Sequence, residues 1–446
     1  MNVVLGAGLA GLTAAFTLKD AILLEKSPQA GGLAKTLSHG QCRFDIGGHR
    51  FITDLPEIQK LVETLIGSEL LRVKRKSCIL LKNGKKVPYP LKAGQSLKAV
   101  GLSSATLAVI DYIYHKAIAS LKRKPLQTLE EWTIANFGKT LYLTYFKEYS
   151  EKVWGLSPQE ISSEWISKRI QNLNLRQLIN SVFFGSNKRT LTETFLYPRM
   201  GIGQIAESLC QCLGNLYYNA RILEIKHNNK HIQSITFCCE GSIHTIPVKW
   251  LISTIPIDCL LKYLDGPDIA LKYRDLLLVV PIFETDKLTQ ETWIYVPDRE
   301  IPFGRVHEPK NWSPWMAPKD ITHLVVEHFC SRGSWLWNQS DTALVAETIK
   351  YLKLLSLIEP QMKPIDAIVV RIPNAYPLFS RNYKEQLARA KCFLQKFDNL
   401  VLAGRTGAFL YLNMDEAMAS GLEAAKHIMS YNDNASMCSY NTTVAT

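Results

Sequence analysis

A chain of 446 residues with 47% hydrophobic and 21% charged residues is too long for one ordinary core and long enough for two, which excludes disordered and fibrous classes. Its net charge of +12 admits phosphorylated ligands, an anionic membrane face or nucleic acid, but no DNA- or RNA-binding motif accompanies the basic clusters at 74 to 76, 82 to 86 and 122 to 124. No stretch reaches the roughly 18 uncharged apolar residues of a membrane span, because the 101 to 121 region carries Asp111, His115 and Lys116.

Residues 2 to 5 form an apolar run that predicts a strand. Gly6, Gly8 and Gly11 then open a helical pattern through Lys19, and a second apolar run at 21 to 24 ends in Glu25. In such a βαβ unit the first glycine permits the tight turn, the second lets backbone N–H groups approach a pyrophosphate, and the third lets helix pack on strand. Glu25 stands where a carboxylate accepts ribose hydroxyls. The chain enters this unit at once, leaving no room for a signal peptide, so the expected location is the cytoplasm. Gly31 and Gly32 follow the second strand.

"FDIGGHRF" at 44 to 51 puts Gly47 and Gly48, with His49, where a buried strand should end. Two glycines surrender side-chain burial and cost backbone entropy, so something flat or bulky is expected against the main chain. Residues 96 to 195 read as mainly helical. From 216 to 256 the pattern turns to short β runs, and from 276 to 329 strands alternate with loops rich in Pro and Trp. "NLVLAGRTGAF" is again a buried strand followed by glycines. Asp415 then starts a helix to 428 with small residues on one face, and the polar tail after Tyr431 is expected to fray.

Asp415 is first a charge favoured by the helix dipole and second a candidate cofactor contact. Arg305 either pairs with Asp298 or Glu308 or offers its guanidinium fork to a phosphate. Arg169 lacks a helical ion-pair partner, and the tryptophans read as packing. The scattered cysteines lack the second close pair that a zinc site needs, so they read as reduced thiols, and no metal is expected.

The glycine motif, Glu25, Gly31-Gly32, "FDIGGHRF" and the late "LAGR" together resemble the two-dinucleotide-binding-motif flavoproteins of the amine oxidase and protoporphyrinogen oxidase superfamily. "VPYP" at 87 to 90, "EKVWG" at 151 to 155, "ISSEWISKRI" at 161 to 170, "FGRVHEPKNWSP" at 303 to 314 and "YLNMDEA" at 411 to 417 resemble segments of its UDP-galactopyranose mutase branch, in the same order. The resemblance implies an α/β fold: a glutathione-reductase-like FAD domain with a Rossmann βαβ unit, plus a mixed sheet and helical substrate domain. The FAD domain is expected from 1–90, 196–260 and 391–432, a helical cap from 91–195, a mixed-sheet substrate domain from 261–390 and a flexible tail from 433–446.

By this resemblance Gly6, Gly8, Gly11, Glu25, Gly31 and Gly32 bind the dinucleotide and Ile222 contacts adenine through its backbone. Gly404 and Arg405 approach the flavin phosphate and ribityl chain, while Gly47 and Gly48 lie against the isoalloxazine ring with His49 beside it. Arg169, Arg305 and Tyr411 hold the diphosphate of a substrate. Leu91 and Lys92 depart from the aromatic and amide residues that follow "VPYP" in mutases of the eukaryotic type, and Asp54 replaces a second histidine, which puts uridine in doubt.

The implied function is an FAD-dependent, mutase-like enzyme acting on a nucleotide-activated sugar through reduced flavin. The alternative is an oxidase or dehydrogenase of an amine or protoporphyrinogen-type substrate, and a third class is a non-catalytic flavoprotein docking on an acidic partner. The implied partners are a phosphorylated small molecule and NAD(P)H as reductant, with no nucleic acid and no membrane span. A homo-oligomer is compatible with this reading.

Overall fold

The computed structural model of the protein describes residues 1–81, 84–89, 102–121, 126–163 and 194–443. The βαβ unit is present as β1 (Asn2–Leu5), α1 (Leu9–Leu18) and β2 (Ile22–Leu24). Every residue of both strands is buried, as the apolar runs require of central parallel strands. They sit inside a five-stranded parallel sheet whose order is Leu400–Leu402, Trp250–Ser253, β1, β2, Leu216–Tyr217. Segments some 400 residues apart in sequence therefore close one layer.

Helix α1 is apolar nearly all round because both sides are covered, one by the sheet and the other by the helix Met414–Thr443. A Cβ on Gly421 of that helix would lie 1.9 Å from the Ala10 carbonyl oxygen, so its small face is what lets the two helices touch. The helix backbone continues through Thr443, past the point where the polar sequence suggested fraying.

A three-stranded antiparallel sheet (Arg221–His227, Ile232–Cys239, Ser242–Pro247) joins the end of β2, where Ala220 N–H donates to the Glu25 carbonyl at 2.8 Å. The second large sheet is mixed and has eight strands. Its centre is Lys272–Phe283, flanked by Asp366–Leu378 and Val325–Cys330, and it continues through Arg305–His307 and Trp293–Tyr295 to Ser77–Leu80 and Lys86–Tyr89. The last two strands belong by sequence to the segment assigned to the first part of the FAD domain. Here they pair with the substrate-side sheet, because Ser77–Leu80 finds its free edge partner in Trp293–Tyr295 rather than in β2.

The described part of the 96 to 195 region is helical, with Leu102–Leu121, Leu129–Phe137 and Lys147–Trp154 as its main helices. A capping box between Thr128 and Glu131 starts the second of these, and Gly155 in the left-handed conformation ends the third. Two buried cations fasten that third helix to the large sheet. Arg274 donates to the carbonyls of Lys152, Val153 and Phe329, and Lys152 donates to those of Val296, Asp298 and Phe303. Burial pulls the Lys152 ammonium down to about 7. No helix among the described residues is long and apolar enough to cross a membrane.

Candidate functional site

The dinucleotide end is built where the glycine turns meet at the carboxyl ends of the parallel strands. Gly6 has φ +94 and its N–H bonds the Leu24 carbonyl at 2.8 Å, a turn that a side chain would strain. A Cβ on Gly11 would lie 1.9 Å from the Gly6 oxygen, so the third glycine is what brings helix onto strand. Gly8 pairs with Gly31 in a parallel bridge, and a Cβ on Gly32 would come within 3.0 Å of Gly8 Cα. The result is a cradle of bare backbone.

Glu25 is buried beside it. Its Oε2 accepts from Ala7 N–H at 2.7 Å and its Oε1 from Ser27 N–H at 2.8 Å, which fixes the carboxylate at the edge of the cradle with lone pairs remaining on both oxygens for ribose hydroxyls. Ile222 stands on the strand Arg221–His227, two residues beyond the Ala220 link to Glu25. The late loop closes the other side: a Cβ on Gly404 would be 3.0 Å from the Ala10 Cβ, and Gly404 N–H donates to Ser420 Oγ at 3.0 Å. These residues fit a dinucleotide.

Arg405, expected near the flavin phosphate and ribityl chain, holds backbone carbonyls. Nε and Nη2 donate to the Leu412 carbonyl at 2.9 and 2.6 Å, and Nη1 to the Ala375 carbonyl at 3.1 Å. Its guanidinium is therefore a clamp on the 412 loop, and its face lies over the rings of Tyr376 and Tyr411 at 5.6 and 5.3 Å.

The Gly47-Gly48-His49 loop is anchored by Asp45, a residue that the sequence reading passed over. Its buried carboxyl accepts from Thr36 Oγ1, Tyr197 Oη and Ile202 N–H at 2.6, 2.7 and 3.1 Å, and burial raises its pKa to about 7. Gly47 has φ +123, which favours glycine whatever lies nearby.

Gly48 gives a direct answer to what approaches the main chain. A Cβ there would stand 1.5 Å from Trp293 Cη2 and 1.6 Å from Cζ3. The flat object packed on Gly48 is thus the protein's own indole, not only a flavin as the resemblance implied. Trp293 in turn stacks on His307 (centroids 5.4 Å, planes 7° apart) and Trp312 (5.7 Å, 16°).

His49 Nδ1 lies 3.0 Å from the Gly47 carbonyl oxygen. A carbonyl can only accept, so Nδ1 carries the hydrogen and Nε2 is left as an acceptor. Burial, with Arg405 and Arg305 adding repulsion, lowers the imidazole pKa to about 4, which keeps it neutral at physiological pH.

Arg305 faces the same loop. Neither Asp298 nor Glu308 is its partner: Glu308 accepts from the backbone of Leu288 and Thr289 and from Thr322 instead. Cross-strand register places Arg305 opposite Glu327, and the two form an ion pair in which the carboxylate is fully buried and the guanidinium 17% exposed. Nη2 also donates to Tyr376 Oη at 2.9 Å. Burial lowers the Arg305 pKa, but Glu327 and the surrounding hydroxyls outweigh it and hold the value well above the ordinary one. Glu327 Oε1 also accepts from Gly48 N–H at 3.1 Å, so one carboxylate joins Arg305 to the histidine loop.

Tyr376 stacks on Tyr411 (6.3 Å, 10°), and Trp154 meets both rings edge-on. Of the residues singled out from sequence, His49, Arg305, Tyr411 and Arg405 therefore converge, linked by Glu327 and Tyr376. Asp415 is buried at the start of the final helix, its pKa raised by burial, with a hydrogen bond to the Thr53 side chain. Arg169, Leu91 and Lys92 lie outside the described residues. Glu327, Trp293 and Tyr376 carried no sequence signal beyond their apolar or alternating surroundings.

Three comparisons bear on this arrangement. The family model for flavin containing amine oxidoreductase matches residues 9–429. A Klebsiella pneumoniae protein described as "Probable UDP-galactopyranose mutase" is 22% identical over 305 residues, 68% of this chain and 62% of that relative's length. The chain thus spans less than two thirds of this curated relative. Among solved structures, reduced UDP-galactopyranose mutase superposes with a TM-score of 0.82 at 22% identity, covering 96% of this chain and 95% of the other. A candidate protoporphyrinogen oxidase from Exiguobacterium sp. 255-15 does so at 0.73 and 15% identity, covering 96% and 98%. With a backbone cradle for FAD and a family match over nearly its whole length, the chain belongs to the flavin-containing amine oxidoreductases, as an FAD-dependent enzyme of that superfamily.

Proposed function

We propose that the protein acts on a nucleotide-activated sugar with its flavin reduced, in the manner of the UDP-galactopyranose mutases it is similar to. The observation that carries this reading is the charge of the cleft at the histidine loop. Arg305, Arg405 and Arg50 surround His49 and Trp293, and the buried carboxylate that faces Arg305, Glu327, is already paired. A protonated amine meets like charge there, whereas a diphosphate meets guanidinium forks.

The flavin, when bound, supplies electron-pair chemistry at the anomeric carbon and ends each cycle as it began. The chain's own residues orient the sugar. Neutral His49 offers Nε2 as acceptor to a ring hydroxyl, Arg305 is held rigid by Glu327 and Tyr376, and Tyr411 lends its ring and hydroxyl beside them. Arg169 is retained as a second diphosphate ligand by resemblance. The nucleobase is left open, and NAD(P)H is the proposed source of electrons.

The test is anaerobic. Dithionite- or NAD(P)H-reduced holoenzyme is expected to isomerise a nucleotide sugar with no net oxidation, while oxidised holoenzyme is inert towards it. If an amine or porphyrinogen instead bleaches the oxidised flavin, oxygen restores it, and reduced enzyme leaves nucleotide sugars unchanged, the protein is an oxidase.

A further inference from the structure

Arg50 is the cation that the arrangement above does not use. It follows His49, and its guanidinium lies over the Trp293 ring at 5.0 Å and the Phe195 ring at 6.0 Å. Its Nη1 is buried and has no hydrogen-bond partner, and the adjoining Trp293 Nε1 is a second buried donor without an acceptor. The ionisable groups acting most strongly on Arg50 are Tyr295, Arg75 and Tyr89, with no carboxylate among them.

Arg75 is also without an acidic partner among the described residues. Its Nε donates to Ser77 Oγ at 3.3 Å, and its guanidinium lies over Tyr89 at 5.3 Å. Tyr89 and Tyr295 pack at 4.9 Å, and cross-strand register puts Tyr295 opposite Arg305. The group therefore lies beside the Arg305 site on the same sheet.

The ordinary reading of such an arginine is cation–π packing on Trp293. That accounts for the face of the guanidinium, and a hydrogen bond to the Tyr295 side chain for part of its edge, but Nη1 is left without a partner. An in-plane N–H that is buried and unmatched costs stability, and a second guanidinium close by adds repulsion that aromatic faces do not cancel. Arg305 shows what this fold does when it means to neutralise a buried arginine: it supplies Glu327.

We propose that Arg50 and Arg75, with Tyr89 and Tyr295, form an anion subsite of the cleft, distinct from Arg305, that receives an acidic group of the substrate. Two guanidinium forks suit a doubly charged group with several acceptor oxygens, a phosphate or a carboxylate pair. The subsite rests on the nucleotide-sugar reading only for the identity of the anion.

The experiment titrates FAD-loaded protein with inorganic pyrophosphate and, separately, with malonate, by calorimetry at several salt concentrations. Wild type is expected to bind at least one of them at a single site, and which one it prefers assigns the phosphate or the carboxylate source. Arg50→Gln and Arg75→Gln are each expected to weaken that binding by about tenfold or more, and Arg50→Lys to restore part of it. Lys426→Gln, at a surface ion pair with Glu57, is expected to bind within about threefold of wild type. FAD absorbance and thermal melting check that each variant is folded. Should Arg50→Gln lose FAD, Arg75→Gln decides by the same criterion. Binding of neither anion, unchanged binding in Arg50→Gln and Arg75→Gln, or an equal loss in Lys426→Gln overturns the proposal. No turnover is needed, so failure to convert a nucleotide sugar leaves the subsite standing, and unchanged binding in Arg50→Gln and Arg75→Gln removes it whatever the substrate is.

Discussion

Substituting Gly48 by alanine separates two reasons for a bare backbone at this point. If the glycine exists for the flavin alone, the apoprotein should tolerate a methyl group and only FAD affinity should fall. The structure argues otherwise, because the new Cβ would stand 1.5 Å from Trp293 Cη2 where ordinary contact needs at least 3.4 Å, so the indole would have to retreat by about 2 Å. It has nowhere to go. Trp293 is 2% exposed and closed in by the rings of His307 and Trp312. Overpacking of this kind costs about 1–3 kcal/mol, and the rigid ring stack puts the expected cost at the upper end. The measurement is chemical denaturation of the apoprotein, with FAD affinity determined in parallel. A double-mutant cycle sharpens it: Trp293→Leu is itself destabilising, by a few kcal/mol, but in that background Gly48→Ala should be nearly silent, giving a coupling of about 2 kcal/mol. An unchanged unfolding midpoint in Gly48→Ala, or strict additivity in the cycle, refutes the reasoning and returns the glycine to the cofactor.

Three other outcomes are expected. Gly8→Asp should give a folded, colourless protein, since it puts bulk and negative charge into the Gly8–Gly32 cradle; retained yellow FAD with unchanged affinity would contradict this. Arg305→Ala should destabilise the fold by about 3–5 kcal/mol, because it strands the fully buried Glu327, whereas Arg305→Lys should lose far less; equal melting temperatures for wild type and the alanine variant would show that the pair carries nothing. His49, His323 and His328 are each held neutral with pKa near 4 by burial, so between pH 6.5 and 4 the unfolded chain binds protons that the folded one does not. Stability should therefore be kept above pH 6.5 and fall as the pH drops towards 4. Asp45, Glu308 and Asp415 titrate in the opposite sense, their carboxyls raised by burial, but four imidazoles, His307 being the fourth, outweigh them; a denaturation midpoint that rises from pH 6.5 to 4.5 would refute the assignment.

The dinucleotide half of the site was legible because its information is local. The spacing of Gly6, Gly8 and Gly11 and the distance to Glu25 are properties of one βαβ unit, and backbone geometry forces their meaning whatever the rest of the chain does. The substrate half was only partly legible. His49 announced itself through its glycines, but the reason for Gly48 depended on a tryptophan 245 residues later, brought in by a strand on another sheet. Glu327 could not be read as the partner of Arg305, since nothing in alternating apolar sequence tells which cross-strand register will form. That the strands at 77 to 89 pair with the large mixed sheet was not legible for the same reason: pairing choice is tertiary. Arg405 was found by its motif, but the backbone carbonyls it holds could not be read, because they carry no sequence identity.

Glu327 also decides how charge is shared across the cleft. It accepts from Gly48 N–H on one oxygen and pairs with Arg305, so the histidine loop and the first arginine move as one unit and their charges nearly cancel. An anion approaching Arg305 must share it with a carboxylate that cannot leave, which makes that contact a matter of orientation more than of attraction. The long-range pull then falls to guanidiniums with no acid beside them, Arg50 and Arg75, on the far side of Tyr295. Such a division suits a substrate with an acidic end to be captured and a reacting end to be aligned: capture tolerates a half-buried cation such as Arg75, while alignment at His49 requires the rigidity that a buried ion pair and a stacked tyrosine provide.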